Sequence, residues 1–374
     1  MTVCPVVVAG IDIARGNRSI AFLKDILIDP AINLPLVSVV VPARNEEKKI
    51  RLALESLLRL EYAEIEFIVL NDRSTDLTSE ILKEMAAEEP RLQVSNITEL
   101  PAGWLGKNYA LHRGAERAKG ELLLFTDADV VMESSTISRA VNYLRANQLD
   151  HLAVMPRVRM PSLALRLFCS TFGIFFSAFI KPWKAKDPKS AEFIGIGAFN
   201  LIRREVYQAV GGHQAIAMRP DDDVKLGKLL KKRGYRQEMV VGLELVTVEW
   251  YSSIRELIDG LMKNFFAGLD YNVPISVASG LAVLYFNVWP FAAIFLLSGK
   301  ARFLSLCAAV VLILFIADAN HLYGLPLWYA VAHPLSALLF VYILWKSMLV
   351  TLWTGGIKWR GTHYPLALLR SNRV

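Results

Sequence analysis

Three apolar stretches, 274–297, 303–317 and 327–353, crowd the last third of the chain. Crossing the ~30 Å hydrocarbon core of a bilayer takes about 20 predominantly apolar residues, so the first and third qualify and the second is short. Lipid offers no partner to open backbone, which commits such segments to helices that satisfy their own hydrogen bonds. Composition agrees. Charged residues make up 21% of the chain and mean hydropathy is +0.36, whereas soluble domains carry roughly a quarter charged residues. Basic residues lie before the first stretch (Arg255, Lys263), after it (Lys300, Arg302) and in the tail (Lys358, Arg360, Arg370, Arg373), and the positive-inside rule cannot place all three groups on one side. The expectation is two or three spans within 273–354, with both ends cytoplasmic if the second stretch is only partly inserted, and a basic tail at 355–374.

The remaining sequence bounds what the chain does. Lys and Arg exceed Asp and Glu by 42 to 35, an excess that anionic lipid or phosphate would accept. No basic stripe is interleaved with aromatics, and Lys231-Lys232-Arg233 falls at a helix end where cations complement the dipole, so nucleic acid is not an expected partner. Cys4, Cys169 and Cys307 lack metal-like spacing, which argues against a zinc site or a disulfide framework. Residues 1–35 form an N-terminal extension whose apolar start, 3–9, lacks the basic and long apolar regions of a signal peptide. A multi-pass protein of the inner (cytoplasmic) membrane, with its soluble part facing the cytoplasm, is expected.

From residue 36 to 249 short β-branched runs alternate with amphipathic stretches, the pattern of βαβ units and a mainly parallel sheet. Strands are predicted at 37–41, 65–70, 92–94 and 121–126, and helices at 45–60, 74–88 and 108–119. Ligands of open α/β sheets bind beyond the carboxyl ends of the strands, so loops 42–46, 71–76 and 127–129 should converge on one crevice. Within this domain the apolar stretch 162–184, bordered by Lys181-Pro182-Trp183-Lys184, suits an interfacial or re-entrant helix. Residues 250–272 form a further amphipathic segment in which Ile254, Leu257, Ile258, Leu261, Met262, Phe265, Phe266 and Leu269 share one face. Closing a core and docking on a membrane explain that face equally well.

The residues that carry chemistry are mostly acidic. Asp127-Ala128-Asp129 follows a buried apolar run, and on an extended segment carboxylates at i and i+2 point the same way, a two-oxygen port for a hard divalent cation. A surface loop would use the same tripeptide. Asp221-Asp222-Asp223 opens a helix, where the dipole favours one or two carboxylates. Three adjacent ones repel and should raise at least one pKa, which is what a proton acceptor in a transfer reaction needs. Lys107, in Gly103-Trp104-Leu105-Gly106-Lys107-Asn108, precedes a helix whose N–H groups hold phosphate oxygens, or simply caps it. Asn71-Asp72-Arg73-Ser74 reads as a strand-end ligand loop or as a turn with a helix N-cap.

In this order the motifs resemble those of family 2 glycosyltransferases with a GT-A fold. They are Val41-Pro42-Ala43-Arg44-Asn45-Glu46, Asn71-Asp72-Arg73-Ser74-Thr75-Asp76, Gly106-Lys107, Asp127-Ala128-Asp129 and Asp222-Asp223-Val224-Lys225-Leu226. The likeness covers roughly residues 36–270. Gly103 to Leu111 and the tail from Gly355 to Pro365 add a similarity to membrane-bound members that glycosylate lipids, including the hopanoid-associated and carotenoid groups. The resemblance implies an α/β, GT-A type nucleotide-sugar-binding domain followed by transmembrane helices. It implies that Pro42, Ala43, Arg44 and Glu46 border the nucleotide of a UDP-sugar and that Asp72 accepts the uracil N–H. Lys107 would approach the diphosphate, Asp127 and Asp129 would face ribose and a divalent metal (Mg²⁺ or Mn²⁺), and Asp223 would be the general base beside Asp222. Asp222 stands where the family commonly has Glu. The Gln-x-x-Arg-Trp motif of processive synthases is replaced by Gly260-Leu261-Met262-Lys263-Asn264, so the implied reaction is inverting transfer of one sugar to a membrane lipid. A polyprenyl-phosphate glycosyl synthase or a non-catalytic membrane-anchored binding protein are the rival readings.

Overall fold

The computed structural model describes residues 3–29 and 34–374, and the chain divides into two compact units. An α/β unit comprises Ile20–Val158, Pro182–Glu249 and Asn372–Val374; a helical unit gathers the residues up to Ser19 with Arg159–Lys181 and Trp250–Ser371. The N-terminal extension is thereby shared out. Helix α1 (Val3–Arg18) belongs to the helical unit, while Leu23 is fully buried in the α/β core and Phe22 bridges Val241. Residues 1, 2 and 30–33 of that extension lie outside the described residues.

In the α/β unit the strands in chain order are β1 (Val37–Ala43), β2 (Ile65–Asp72), β3 (Leu92–Ile97), β4 (Leu122–Phe125), β5 (Val130–Met132), β6 (His151–Met155), β7 (Arg157–Arg159), β8 (Asn200–Arg203), β9 (Gln237–Val241) and β10 (Val246–Glu249). Seven form the main sheet in the order β3-β2-β1-β4-β8-β6-β9, and β5-β10-β7 form a small second sheet. β1 pairs in parallel with β2 and β4, β2 with β3, and β6 with β9, whereas β8 runs antiparallel to β4 and β6. Both faces are covered, which is why the strands read as continuous apolar runs. Val37, Val39, Val41, Leu122 and Leu124 enter one core with α2 (Ile50–Leu58), α3 (Thr78–Glu88) and α5 (Thr136–Ala146). Val40, Ile68, Leu123 and Phe125 enter the other with α4 (Gly106–Arg117), α7 (Arg204–Ala209) and α8 (Asp222–Lys232). Helix starts differ from the sequence reading for a local reason: α2 begins at Ile50 because Asn45 takes φ 56, a left-handed conformation that Asn tolerates and a helix does not.

The helical unit adds α6 (Leu163–Ile180), α9 (Ile254–Gly268), α10 (Val273–Val283), α11 (Trp289–Leu296), α12 (Gly299–Leu322), α13 (His333–Trp353), the hairpin β11 (Gly356–Trp359) and β12 (Thr362–Pro365), and α14 (Leu366–Ser371). A π-helical turn, Leu284–Val288, joins α10 to α11. Among the described residues four helices are long and apolar enough to cross a membrane: Leu163–Lys184, Val273–Leu296, Gly299–Leu322 and Leu327–Trp353. The second apolar stretch therefore gains length from its flanks, since residues 299–302 and 318–322 continue the helix, and the stretch read as interfacial has the length and apolarity of a span. Ser162, Ser253 and Asn272 each cap a helix start through the side chain. The apolar face of α9 closes a core: Leu257, Leu261 and Phe266 are buried, and the Phe265 ring lies 4.7 Å from that of Phe340 on α13.

Candidate active site

The site is assembled where β1, β2 and β4 end. The loops after β1 and β2 are laced together: Asn45 donates its backbone N–H to Ser74 Oγ, and its Oδ1 accepts from Thr75 N–H at 2.8 Å. Glu46 N–H reaches Thr78 Oγ1 at 2.8 Å. Pro42 and Ala43 complete β1 opposite Leu70 and Asn71. At the end of β2 the buried Asp72 accepts from Arg73 Nε at 2.7 Å and Nη2 at 3.1 Å, with Arg44 Nη1 at 3.6 Å. A carboxylate has about four lone-pair sites, so this arrangement leaves room for one more donor. Gly106 is pressed against the pair: a Cβ there would stand 2.3 Å from Asp72 Oδ2, so only glycine brings the N-terminus of α4 this close.

One residue later the second cluster begins. Lys107 Nζ lies 2.8 Å from Asp127 Oδ1 and 3.5 Å from Asp222 Oδ2. Burial alone would lower the lysine's pKa, but Asp127, Asp222 and Asp223 together outweigh it and hold the ammonium form. Asp223 Oδ2 accepts from Gly197 N–H at 2.6 Å and Oδ1 from its neighbour Val224 N–H at 2.8 Å. Burial, reinforced by Asp127, pushes this carboxyl above its usual range against the pull of Lys107 and the two N–H groups. Lys107, Asp127, Gly197, His213, Asp222 and Asp223 line one small pocket of about 10 Å³.

The DxD geometry differs from the expectation. Ala128 and Asp129 form a turn, closed by Val130 N–H to Asp127 O at 3.4 Å, because the chain must pass from β4 in the main sheet to β5 in the small sheet within four residues. The two carboxylates are served by different lysines: Asp127 by Lys107, and Asp129 by Lys49 at 3.4 Å, which also donates to Glu249 O. Burial first, then Asp127, then Glu46, raise Asp129 to about 6, with Lys49 opposing. A carboxylate that far above 3.8 is short of positive charge, and its hard oxygen donors fit a divalent cation. Among the described residues no group of three or more His, Cys, Asp or Glu is arranged around one metal position.

Four residues have contacts that the sequence reading did not give, although Gly197 reads there as a tight turn near a ligand or an ordinary turn. Arg219, almost wholly buried, grips Asp221 through Nε and Nη2, both at 2.9 Å, so the first of the three adjacent aspartates is structural. Asn108 Nδ2 donates to Ile216 O and Arg219 O at 2.7 and 2.9 Å, tying Lys107's helix to that loop. Gly197 admits the cluster: a Cβ would lie 3.0 Å from Asp127 Oδ2 and 3.3 Å from Asp223 Oδ2. His213 has its backbone N–H and Nδ1 at 3.0 and 2.8 Å from the Tyr207 hydroxyl, and burial, with Lys107 nearby, pushes it down to about 3. Arg219 and Asn108 stood in motifs beside the aspartates and Lys107; the contacts of all four, and His213 itself, are found only through long-range packing.

Residues 38–211 match the family described as Glycosyl transferase family 2. A 4,4'-diaponeurosporenoate glycosyltransferase of Staphylococcus haemolyticus (strain JCSC1435) is 26% identical over 243 residues, which are 64% of this chain and 63% of that protein, so the matched region spans under two thirds of its length. The protein of the same name from Staphylococcus aureus (strain USA300) is 24% identical over 343 residues, 90% of each chain. Among solved structures, the mannosyltransferase PcManGT from Pyrobaculum calidifontis, in complex with GDP-Man and Mn²⁺, aligns with a TM-score of 0.54 at 19% identity over 94% of this chain and 98% of its own. That likeness shows the fold, a GT-A-like α/β domain with a mostly parallel sheet. Residues 38–211 thus carry the pattern of a glycosyl transferase family 2 domain.

Proposed function

We propose that the protein transfers a single sugar, with inversion, from a nucleotide-sugar to a lipid acceptor in the membrane. The observation that carries the reading is Asp223. Its carboxylate is fixed by two backbone N–H groups, its proton affinity is raised by burial, and it shares a pocket with Lys107 and Asp127. As the acceptor hydroxyl oxygen bonds to the anomeric carbon, its proton passes to Asp223 and the bond from that carbon to the diphosphate breaks with its electron pair on the leaving group. Lys107, positioned by Gly106 and Asn108 and held as the ammonium, takes part of that charge. A divalent ion held by Asp127 and Asp129 would neutralise the remainder, the Lewis-acid contribution such ions make; the Mn²⁺ in the PcManGT complex supports this. Asp222 keeps Lys107 in place. Arg44, Glu46, Pro42 and Ala43 border the nucleotide, and Asp72, still able to accept one hydrogen bond, reads a base N–H.

The lipid acceptor is supported by the four helices of membrane-spanning length and by relatives named for a carotenoid acid. A multi-pass protein of the cytoplasmic membrane with its α/β unit in the cytoplasm, where nucleotide-sugars are made, is the matching placement. A UDP-sugar is the proposed donor. The test is nucleoside diphosphate release by the detergent-purified chain across UDP- and GDP-sugars, with Mn²⁺ or Mg²⁺, with and without a bacterial lipid extract. Lipid-stimulated, EDTA-sensitive release supports the reading. Donor binding without lipid-stimulated release, or release that survives Asp223→Asn, overturns it, the latter in favour of a phosphate nucleophile that needs no base.

A further inference from the structure

The helical unit holds a second cavity of about 310 Å³ between α1, α6, α12 and the π-helical turn, at the small end of the ~300–1,000 Å³ range of small-molecule sites. Its walls are apolar, with Phe175, Phe286 and Phe315 among them. Two braces keep it from closing. At Gly10 a Cβ would stand 2.3 Å from the Phe315 ring, so α1 and α12 touch there. Further along, Arg18 grips Asp318 through Nη1 to Oδ2 at 2.7 Å and Nη2 to Oδ1 at 2.5 Å.

Two amides are out of place in such walls. Asn17 lines the cavity, is 1% exposed, and neither its Nδ2 nor its Oδ1 has a hydrogen-bond partner. Asn287, also in the lining, is carried by the π-helical turn, a distortion common at functional sites. It is anchored by His333 Nε2 at 3.0 Å, whose Nδ1 lies 3.1 Å from Thr171 Oγ1. Asn287 lies in a helix of membrane-spanning length, Val273–Leu296, where polar groups are costly and functional. A buried amide is normally paired, and water in an apolar chamber would find too few partners to stay.

We propose that this cavity binds an amphiphile with a slender apolar body and one group that both donates and accepts a hydrogen bond, a hydroxyl or a carboxyl, which pairs with the Asn17 amide. A plain hydrocarbon tail would fill the volume and leave that amide orphaned. The site lies wholly within the helical unit and owes nothing to the transferase reading.

The test uses the full chain in phosphatidylcholine nanodiscs, with a photoreactive diazirine analogue of dodecanol and peptide mapping of the adducts, in the absence of any nucleotide-sugar. Saturable labelling confined to α1, α6, α12 and the π-helical turn is expected, displaced by dodecanol or dodecanoic acid but not by dodecane. Asn17→Leu should weaken dodecanol by about tenfold, the worth of one buried hydrogen bond, without lowering the melting temperature, since it removes an unpaired amide. Ala319→Trp, which fills the chamber, should abolish labelling. Equal labelling of all apolar helices, displacement by dodecane as effective as by dodecanol, or an unchanged Asn17→Leu overturns the proposal. Because no donor is present, its failure leaves sugar transfer standing, and loss of sugar transfer leaves this binding intact.

Discussion

The Lys107 ammonium lies 2.8 Å from the Asp127 carboxylate, a contact that joins the first turn of α4 to the end of β4 and places a fixed positive charge among three carboxylates. Lys107→Met leaves those carboxylates uncompensated. Removing one partner of a buried ion pair costs about 3–5 kcal/mol, and partial exposure of Asp127 puts the expected loss at the lower end. The melting temperature should fall, and Lys107→Met combined with Asp127→Asn should recover stability without recovering turnover. Equal activity of the double variant and the native chain would remove Lys107 from the chemistry.

Asp129 sets a pH dependence. Its folded-state value, about 6, stands above the ordinary 3.8, so between those values the folded chain binds more protons than the unfolded chain and stability falls as pH rises through that window. A bound divalent ion needs the deprotonated form. Mn²⁺ should therefore raise the melting temperature at pH 7 and have little effect at pH 4.5, and Asp129→Asn should abolish both the metal effect and the loss of stability. A Mn²⁺ shift that persists in Asp129→Asn would place the ion elsewhere.

Gly197→Ala separates site geometry from folding. The new methyl meets two carboxylate tips and the Lys107 Nζ at 3.5 Å, groups that can swing aside. The melting temperature should hold within a few degrees while kcat drops roughly a hundredfold, the usual effect of displacing a catalytic group by about 1 Å. Circular dichroism melts and initial rates decide it.

The three adjacent aspartates should respond differently. Asp221→Asn breaks a bidentate pair around the buried Arg219 and is expected to cost about 3–5 kcal/mol of stability, measured by urea unfolding of the detergent-solubilised chain. Asp223→Asn leaves one of the two backbone N–H groups without an acceptor, so it is expected to cost a smaller ~1–3 kcal/mol, while transfer is lost and nucleotide binding remains. A stable, inactive Asp221→Asn would reverse the assignment of the two residues.

Much of this was written in local sequence. The long apolar stretches read as helices, since a membrane would leave their backbone groups no other partner, and the continuous runs at β1, β2 and β4 read as strands buried on both faces. The ends of those strands brought the loops that carry Arg44, Asp72 and Asp127 to one crevice before any contact was known, since a parallel sheet brings its carboxyl ends together. Local pattern was silent on pairing across the chain. Which aspartate of Asp221-Asp222-Asp223 is structural depends on Arg219 folding back on the first of them, and the turn that separates Asp127 from Asp129 depends on β5 pairing with β10, more than a hundred residues away. The orphaned amide of Asn17 and the apolar chamber beside it exist only because α1 packs against α12 near Phe315 and Asp318. Periodicity and strand ends are short-range consequences of backbone geometry; the charge state, the partners and the empty volume around a side chain are set by whichever distant residues the fold brings to it.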